Sequence, residues 1–550
     1  MRVHLAVLQE LITRIIPERE AIVWRDGVLD YAGFLDRCRQ VGHAFRTLGL
    51  GCRTERSALE PWESGQDHVA VCMYNCPEWL EVMFGSYHAR AVMVNVNYRY
   101  KAEELRYVLA NSRARALVYQ AAFAPLVAEA CAGLPELPHL IQLRDDSNNP
   151  RQPGALDYEE LRARQPTGPL DLPYSPDDLY ILYTGGTTGI PKGVLWRQED
   201  VFFNGLGGHL PGFERLDSEE KLRNHIGLGM GGRAIVMLPF MHGAGQWLSF
   251  NTFHRGGTLV FPDEGRRLDA DGAWHAIERH RVDQMMIIGD AFARPLIAAL
   301  RAGRYDVSSV RVVGSTAAVL SPAVKQELMA LLPEGTLALE SIGGSEMGLQ
   351  AMSYDTDSGQ PGVPAYQLRD NTVLLRADRS GVLSPGTDEL GWIATRGHLP
   401  LGYLGDPERT RQTFPVIDGV RYCVGGDRGR YTTDGRVLFL GRDAVCINTG
   451  GEKVFAEEVE RIVKSHPAVY DALVVGVRSQ RWGQQVTALV SVTPGSTPPT
   501  VAELRAHCAV ELADYKLPKA VVIVPEIVRS PSGKPDYVWA LDYAGRAAPA

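Results

Sequence analysis

A glycine-rich loop at residues 183–193 places the strongest constraint on how this chain folds. The loop reads YTGGTTGIPKG and follows an apolar and aromatic run at residues 178–183, which is typical of a buried strand. Backbone N–H groups in such a loop surround an anion, threonine hydroxyls add donors, and Lys192 adds a positive charge. The segment therefore predicts a polyphosphate site. It is not a Walker P-loop, because Lys192 lies between Pro191 and Gly193.

The size and composition of the chain predict a multidomain globular protein. Its 550 residues exceed what one hydrophobic core supports, so two or more domains are expected. Hydrophobic residues make up 45%, and the formal net charge of -8 offers no basic footprint for a nucleic acid. The eight cysteines are scattered without a CxxC pair, which favours reduced thiols in a cytoplasmic protein over a zinc site or a disulfide framework.

The N-terminal apolar residues indicate an amphipathic helix. Arg2, Glu10 and Arg14 interrupt them, which does not suit the apolar region of a secretory signal. No later stretch approaches the roughly 20 apolar residues that span a bilayer, so we expect no transmembrane segment.

The order of strand and helix patterns predicts an α/β fold with a second, smaller domain. From residue 1 to residue 175, helical periods alternate with short apolar runs, which favours wound and largely parallel α/β sheets. Residues 350–440 change to short strands and turns, which predicts a small β-rich subdomain. Past residue 442, strand patterns between helical segments predict a small α+β domain.

Several segments are candidates for ligand contact, because ligands of open α/β sheets bind outside the carboxyl ends of the strands. Residues 314–317 follow such a strand pattern, although a tight strand-to-helix turn explains them equally well. A lone histidine after an apolar run, such as His242, is more often a satisfied core residue. A lysine on a loop rich in serine, proline and glycine, such as Lys534, is by default a solvated charge. The GLGMGG segment at residues 227–232 follows a polar stretch instead of a strand, so it predicts a surface loop.

The loop at residues 183–193 closely resembles the phosphate-binding signature of the acyl-adenylate-forming superfamily, which includes acyl-CoA synthetases, luciferases and peptide-synthetase adenylation domains. Further segments resemble that superfamily's motifs in its order: the run at 234–247, LESIGGSEMG at 339–348, YCVGGD at 422–427, GRDAVCINTGGEKV at 441–454 and RSPSGKP at 529–535. The resemblance implies an ATP- and acyl-binding domain at residues 1–441, which includes the β-rich subdomain at 350–440. A mobile C-terminal domain is implied at residues 442–550.

The resemblance assigns roles to particular residues. The implied ATP- and AMP-binding residues are Thr184, Gly185, Gly186, Thr187, Thr188, Gly189, Lys192, Ser315, Glu340, Ser341, Ile342, Gly343, Ser345, Asp427, Arg442 and Lys534. Mg²⁺, which prefers hard oxygen ligands, is implied at Glu346 and Thr188. The implied catalytic residues are Lys192, His242, Glu346 and Lys534, of which Lys534 is the mobile lysine.

The other two substrates are implied to bind beside the nucleotide. The implied acyl pocket contains His242, Gly243, Trp247, Gly289 and Gly314, and the implied contacts to the pantetheine of coenzyme A are Gly450 and Gly451. Amino-acid-activating members typically carry an aspartate in the segment at 234–247. This chain has none there, which favours a plain carboxylic acid.

Four positions depart from the superfamily pattern. Ile342 stands where a tyrosine usually stacks on adenine, and Gly425 where a threonine is usual. Ala444 stands at the hinge position where aspartate or lysine is usual, and Val445 at a following position that is usually acidic. An isoleucine still offers adenine an apolar face. Domain rotation is expected to survive, because a hinge needs backbone freedom more than a given side chain.

The resemblance implies a two-step acid–thiol ligase. ATP and a carboxylic acid first give an acyl-adenylate and pyrophosphate, and the thiol of coenzyme A then attacks the mixed anhydride. Alternatives are an adenylation enzyme that loads a carrier protein, a luciferase-like oxygenase and a nucleotide-binding regulator without turnover. The chain ends soon after Lys534, so no carrier domain is expected to follow, and a mobile lysine favours an enzyme over a regulator. A homodimer is left open.

The sequences of two segments indicate the class of carboxylic acid that is the substrate. KGVLWRQ at residues 192–198 and GDAFARP at residues 289–295 look like the actinobacterial fatty-acid and steroid-acid CoA ligases. Small residues at Gly243, Gly245, Gly289, Ala291 and Ala293 leave room for a bulky or long acyl group. We therefore expect a medium-to-long or polycyclic carboxylate and not acetate.

Overall fold

The computed structural model describes residues 3–136, 138–185, 191–318, 320–354, 365–449, 452–479, 481–529 and 534–547. Helices and strands are numbered here in chain order. The helices of these ranges are α1 (Leu5–Ile15), α2 (Tyr31–Thr47), α3 (Pro77–His88), α4 (Ala102–Ser112), α5 (Ala124–Cys131), α6 (Tyr158–Ala163), α7 (Gln198–Asn204), α8 (Glu219–Gly227), α9 (Gly243–His254), α10 (Ala270–His280), α11 (Gly289–Ala302), α12 (Pro322–Met329), α13 (Pro407–Thr413), α14 (Ala456–Lys464), α15 (Val501–Cys508) and α16 (Tyr537–Ala547).

The strands follow the same numbering. They are β1 (Glu20–Trp24), β2 (Gly27–Asp30), β3 (His68–Cys72), β4 (Val92–Asn95), β5 (Ala114–Gln120), β6 (His139–Leu143), β7 (Leu156–Asp157), β8 (Leu179–Gly185), β9 (Pro191–Arg197), β10 (Arg233–Ile235), β11 (Thr258–Phe261), β12 (Gln284–Ile287), β13 (Val312–Ser315), β14 (Leu337–Gly344), β15 (Gly348–Tyr354), β16 (Ala365–Leu368), β17 (Thr372–Leu375), β18 (Gly391–Arg396), β19 (Gly402–Tyr403), β20 (Val416–Ile417), β21 (Val420–Tyr431), β22 (Val437–Arg442), β23 (Cys446–Thr449), β24 (Glu452–Phe455), β25 (Val469–Ser479), β26 (Gly483–Val492) and β27 (Ala520–Ile523).

The first half of the chain forms the wound α/β layers that the sequence predicts. Strands β4, β3, β5, β6 and β7 make a five-stranded sheet in that order, and every neighbouring pair in it is parallel. Strand β3 is buried along its whole length, as expected for a parallel strand with both faces covered. The predicted N-terminal amphipathic helix is α1, whose buried positions recur at helical spacing.

A fourteen-stranded sheet carries the rest of the large domain. Its central strands β1, β11, β10, β12, β13 and β14 are parallel, so their carboxyl ends lie at one edge. The chain then turns back, and β15 pairs with β14 in antiparallel orientation. Residues 227–232 form the end of α8 and the turn before β10, where Leu228 is largely exposed, so the surface-loop prediction for most of this segment is confirmed.

The segment at residues 350–440 is rich in strands, as predicted, but these strands do not form a sheet of their own. Strand β16 pairs with β15 on one side and with β22 on the other, so β17, β18, β21 and β22 continue the fourteen-stranded sheet. Pairing between strands that are about 70 residues apart depends on tertiary contacts. A local sequence pattern does not contain that information.

The glycine-rich loop joins the two strands of a hairpin. Strands β8 and β9 are antiparallel, and β19 adds to β9 as the third strand of this small sheet. Strand β8 begins with five buried residues, which matches the predicted buried strand before the loop. Residues 186–190 of the loop lie outside the described residues.

The C-terminal region forms a small α+β unit around a five-stranded sheet of β24, β23, β26, β25 and β27. One face of this sheet packs on α14 and α15, and the other packs on α16. Each face has its own apolar cluster, as a domain of this size requires. Among the residues that the structure describes, none of the helices combines the length and the apolar character needed to cross a bilayer.

Candidate active site

A cavity of about 1910 Å³ lies at the carboxyl edge of the central parallel strands and extends to the C-terminal region. Open α/β sheets bind ligands at this edge, because loops from successive strands converge there. Most of the site residues predicted from the sequence line it. They are Thr184, Gly185, Lys192, His242, Gly243, Trp247, Ser315, Glu340, Ser341, Ile342, Gly343, Ser345, Glu346, Asp427, Arg442 and Lys534.

The β8–β9 hairpin brings Lys192 to the cavity. Lys192 lies opposite Thr184 in the ladder, and its Nζ atom lies 5.8 Å from the centre of the Tyr403 ring. In the described part of the chain Lys192 has no carboxylate partner within salt-bridge distance, so its charge remains available to an anion. Gly186, Thr187, Thr188 and Gly189 were also predicted to bind the nucleotide, and they lie outside the described residues.

The turn between β14 and β15 presents Ser345 and Glu346. The indole of Trp196 donates a hydrogen bond of 2.8 Å to the carbonyl of Ser345, which fixes this turn against strand β9. Tyr403 donates its hydroxyl to Oε1 of Glu346 at 2.9 Å. A carboxylate held in this way is a suitable hard ligand for Mg²⁺, and its partner Tyr403 lies beside Lys192.

Two predicted site residues on β13 and β14, Ser315 and Glu340, are held by hydrogen bonds. The Ser315 hydroxyl accepts a hydrogen bond of 3.2 Å from the backbone N–H of Gly289. Glu340 is buried and accepts a bond of 3.2 Å from Lys325. Ile342 lies on the cavity wall, so its side chain is available as an apolar surface.

Asp427 and Arg442 form an ion pair between two strands. They lie opposite each other on β21 and β22, and Nε of Arg442 donates to Oδ1 of Asp427 at 3.2 Å. The Asp427 side chain is only 3% exposed, whereas that of Arg442 is 40% exposed. The carboxylate of Asp427 raises the pKa of the Arg442 guanidinium above its ordinary value, so Arg442 remains charged.

Lys534 reaches the same cavity from the C-terminal region, and its side chain is exposed. Desolvation by the surrounding protein and the charge of Arg442 lower the pKa of Lys534, and the carboxylates of Glu346 and Asp427 oppose this shift. These partners show that Lys534 lies close to the residues of the nucleotide motifs. Its charge also acts on His242.

His242 is the residue immediately before α9, and its side chain makes no capping bond to the helix. Its Nε2 atom has no hydrogen-bond partner in the described part of the chain. Burial, followed by the charges of Lys534 and Arg99, lowers the pKa of His242 to about 3. The imidazole is therefore neutral at physiological pH and has an unused ring nitrogen beside the cavity.

Two residues of the expected acyl pocket do not line the cavity. Gly314 lies under Met286, because a Cβ atom at position 314 would clash with the Met286 sulfur. Gly289 is buried at the first position of α11, with a φ of 47° that favours glycine. Gly450 and Gly451, predicted to contact coenzyme A, lie outside the described residues.

Sequence reasoning missed two sets of cavity residues. Tyr403 belongs to none of the motifs, and only the pairing of β19 with β9 brings it next to Glu346. One face of α9 also lines the cavity through residues that include Asn251 and Arg255. The spacing of four residues from Gly243 through Trp247 to these two was a signal that could have identified this face.

The chain matches two family models. The model described as AMP-binding enzyme matches residues 14–404, and the model described as AMP-binding enzyme C-terminal domain matches residues 458–534. Together they include the motif segments that line the cavity except two, the segments at 422–427 and 441–454 that contain Asp427 and Arg442, which lie between the matched ranges.

Several proteins resemble the chain over almost its whole length. It is 46% identical over 530 residues to the medium-chain acyl-CoA ligase Mig of Mycobacterium avium, with 96% of each chain covered. It is 38% identical over 552 residues to a medium/long-chain-fatty-acid–CoA/3-oxocholest-4-en-26-oate–CoA ligase of Mycolicibacterium smegmatis, with 98% of this chain and 96% of that one covered. The crystal structure of ATP-bound MatB from Rhodopseudomonas palustris has the same fold, with a TM-score of 0.80, 22% identity and coverage of 98% and 99%.

Proposed function

The chain belongs to the family of AMP-binding enzymes, and we propose that it is an AMP-forming acyl-CoA synthetase. It uses ATP to activate a carboxylic acid as the acyl-adenylate and then transfers the acyl group to coenzyme A. One observation supports this proposal above the others. Lys192, Glu346, Asp427, Arg442 and Lys534 come from distant parts of the chain and line one cavity.

In the first half-reaction, an oxygen of the substrate carboxylate attacks the α-phosphate of ATP and pyrophosphate leaves. Lys192 and the phosphate loop hold the departing phosphates, and Asp427 accepts hydrogen bonds from the ribose hydroxyls. Lys534 lies where the carboxylate and the α-phosphate meet, and its ammonium offsets the negative charge that accumulates there. This is catalysis by positioning and by preorganised charge.

Glu346 fits Mg²⁺ because its carboxylate lies on the cavity wall and is oriented by Tyr403. Thr188 completes the proposed protein ligands. When bound, the ion neutralises part of the phosphate charge. The hydrogen bond from Tyr403 fixes the Glu346 carboxylate as an acceptor on the cavity wall.

His242 orients the carboxylate of the acid. Its ring is neutral, its Nε2 atom is unpaired in the described part of the chain, and it precedes the helix that lines the acyl side of the cavity. A neutral imidazole can donate one hydrogen bond to a carboxylate oxygen without adding charge. Trp247, one turn further along the helix, packs beside the acyl group.

In the second half-reaction, residues 442–550 rotate as a domain relative to residues 1–441. The rotation withdraws Lys534 and brings Gly450 and Gly451 to the pantetheine of coenzyme A, whose thiolate attacks the acyl carbonyl and displaces AMP. Arg442 marks the end of β22, and Gly441 beside it has a φ of 127°, a conformation open to glycine. Gly441 lies three residues before the hinge position Ala444, and its backbone adds conformational freedom next to the hinge.

The substrate class follows from the cavity and from the relatives. We propose medium-chain to long-chain fatty acids or a steroid acid, as the names of the two bacterial ligases indicate for those proteins. The cavity has an apolar wall that includes Met286, Val312 and Leu337, which suits a long hydrocarbon group better than acetate.

The test combines ATP, Mg²⁺ and coenzyme A with a panel of carboxylic acids from acetate to steroid acids. Acid-dependent release of pyrophosphate identifies an adenylating enzyme, and mass spectrometry of the thioesters identifies the ligase. Release of pyrophosphate without any thioester would point to a carrier-protein loader instead. A preference for acetate would contradict the substrate class.

The location and the assembly of the enzyme are also proposals. A cytoplasmic location suits a protein that uses ATP and coenzyme A and whose eight cysteines are all free. Light scattering of the purified chain tests whether it forms a homodimer.

A further inference from the structure

The cavity follows one face of α9 along the whole helix. Residues four apart on this face line the cavity, together with their neighbours: Gly243, Ala244, Trp247, Leu248, Asn251, Thr252 and Arg255. From His242 before the helix to Arg255 after it, the backbone rises about 20 Å at 1.5 Å per residue. The helix therefore connects the reaction centre to a remote end of the cavity.

A second wall comes from the central sheet and is apolar. Met286, Val312, Leu337 and Leu339 on β12, β13 and β14 line the cavity. The strand register pairs Ser315 with Glu340 at the end of the cavity where the nucleotide is proposed to bind. Val312 pairs with Leu337 three residues earlier, so this pair lies about 10 Å from the first pair along the strands. The space between helix and sheet suits the hydrocarbon part of an acyl group.

Arg255 stands at the far end of this apolar space without a partner. Its side chain is partly buried, and in the described part of the chain it has no ion pair and no side-chain hydrogen bond. Arg90, by comparison, is buried and bonded to both Asp178 and Glu55. Only the Nε atom of Arg255 is shielded from water without an acceptor among the described residues, and a guanidinium that is partly desolvated in this way normally takes up an acceptor, because its desolvation is otherwise uncompensated.

The neighbours of Arg255 in the described part of the chain do not supply that acceptor, and Nε2 of the nearby His225 has no hydrogen-bond partner there either. Asn251 donates to the carbonyls of Trp247 and Gly205, and Thr252 donates to the carbonyl of Leu248, so both are held by backbone groups. Tyr354, which also lines the cavity, is close enough to influence the pKa of Arg255. Burial lowers the pKa of this guanidinium, as expected for a cation without a carboxylate beside it.

We propose that Arg255 forms a distal subsite, which binds an oxygen acceptor at the end of the acyl group remote from the carboxyl group being activated. A second carboxylate fits best, because arginine binds carboxylates through two parallel hydrogen bonds, and a ketone oxygen fits with one. A plain alkyl end leaves the guanidinium unpaired. This subsite rests on the proposed function, since it assigns the specificity of the same cavity.

The test compares matched acids as substrates. Dodecanedioic, tetradecanedioic and hexadecanedioic acids are each paired with the monocarboxylic acid of the same length, and 3-oxocholest-4-en-26-oic acid is paired with its analogue that lacks the ketone. We expect the unmodified enzyme to have a higher kcat/KM for the oxygenated member of the pair whose length matches the cavity. Arg255→Met should reduce the ratio of kcat/KM for the oxygenated acid to kcat/KM for its matched partner by about ten- to a hundredfold. This is the range of a hydrogen bond to a charged group.

Two further variants separate specificity from folding. Arg255→Lys keeps the charge and should retain part of the preference, whereas a merely structural role would make it as defective as Arg255→Met. Arg223→Met removes an exposed arginine from the nearby helix α8 and should leave the ratio unchanged. All variants should melt within a few degrees of the parent, because Arg255 has no partner to lose in the described part of the chain.

Calorimetric binding of each diacid and its monocarboxylic partner gives a measurement that does not depend on turnover. The subsite is supported if the diacid binds more tightly and Arg255→Met abolishes that difference. It is overturned if the ratio of the paired acids is the same with and without Arg255. If none of the acids yields a CoA thioester, the proposed function fails, and the binding ratios still decide whether Arg255 is a distal subsite.

Discussion

At the scale of single residues, Asp427 offers the clearest test of nucleotide binding. Its carboxylate is almost fully buried and bonded to Arg442 at 3.2 Å, which leaves its remaining lone pairs for the ribose hydroxyls. Asp427→Ala should raise the KM for ATP by about five- to a hundredfold, the cost of roughly 1–3 kcal/mol for buried hydrogen-bonding groups without partners. Initial rates of pyrophosphate release at varied ATP provide the measurement.

Asp434→Ala is the matched control for Asp427. Asp434 forms an exposed ion pair with Arg436 just before β22, and its loss should leave the KM for ATP unchanged. Equal effects of the two substitutions on the KM for ATP would show that Asp427 does not bind the nucleotide.

At the scale of secondary-structure elements, we expect strand β13 to set the width of the proposed acyl space. A methyl group at Gly314 would meet the flexible side chain of Met286, which itself lines the cavity. Gly314→Ala should therefore push Met286 into the cavity and lower kcat/KM for long and polycyclic acids by about tenfold, an effect typical of one methylene in a pocket. Octanoic acid should be little affected.

Substituting Met286→Ala in the Gly314→Ala background should restore activity toward the long acids. A uniform loss across all chain lengths, with no rescue, would show that Gly314 supports the strand and not the width of the cavity.

Helix α14 contains a carboxyl group whose ionisation should affect stability. Glu457 is in the first turn, where Oε1 accepts a bond of 3.4 Å from the Arg442 N–H, and burial followed by the charge of Glu460 raises the pKa of Glu457 to about 8. Between its ordinary pKa of 4.5 and this value, the folded chain holds a proton that the unfolded chain has lost. The stability that this group contributes is therefore full below pH 4.5 and is lost as the pH rises toward 8.

Glu457→Gln should abolish the loss of folding stability that the parent protein shows as the pH rises toward 8. We expect the variant and the parent to melt together near pH 5 and the variant to melt at least about 2 °C higher at pH 8. Glu452→Gln, at an exposed position on β24, is the control. A parent protein that gains stability relative to Glu457→Gln between these two pH values would contradict the burial of this carboxyl group.

The same elements show how far the sequence alone determines the site. Lys192, Glu346, Asp427, Arg442 and Lys534 were identifiable from motifs, because each needs a particular side chain at a loop or strand end. The residues on the acyl side of the cavity were harder to predict from the sequence, because packing decides which of them face the cavity. Gly314 is covered by Met286, and Gly289 is buried in α11. Arg255 has no motif around it, and only its position on the face of α9 identifies it.

At the scale of the whole molecule, the account depends on Lys534 serving one half-reaction and leaving for the other. In the structure its pKa is affected by Arg442, Glu346 and Asp427, and its charge acts on His242. In the proposed mechanism, this placement of Lys534 corresponds to the adenylation step. Formation of the thioester should proceed from a second arrangement, in which Lys534 no longer contributes.

The most direct test measures the two half-reactions of Lys534→Ala separately, with Lys519→Ala on the same C-terminal unit as the control. Acyl-adenylate formation from ATP and the acid should fall by about 10²–10³, the usual contribution of a preorganised charge of this kind. Thioester formation from synthetic acyl-adenylate and coenzyme A should stay near the rate of the unmodified enzyme. If both half-reactions fall together, Lys534 acts in one fixed site or supports the fold, and the two-arrangement account is wrong.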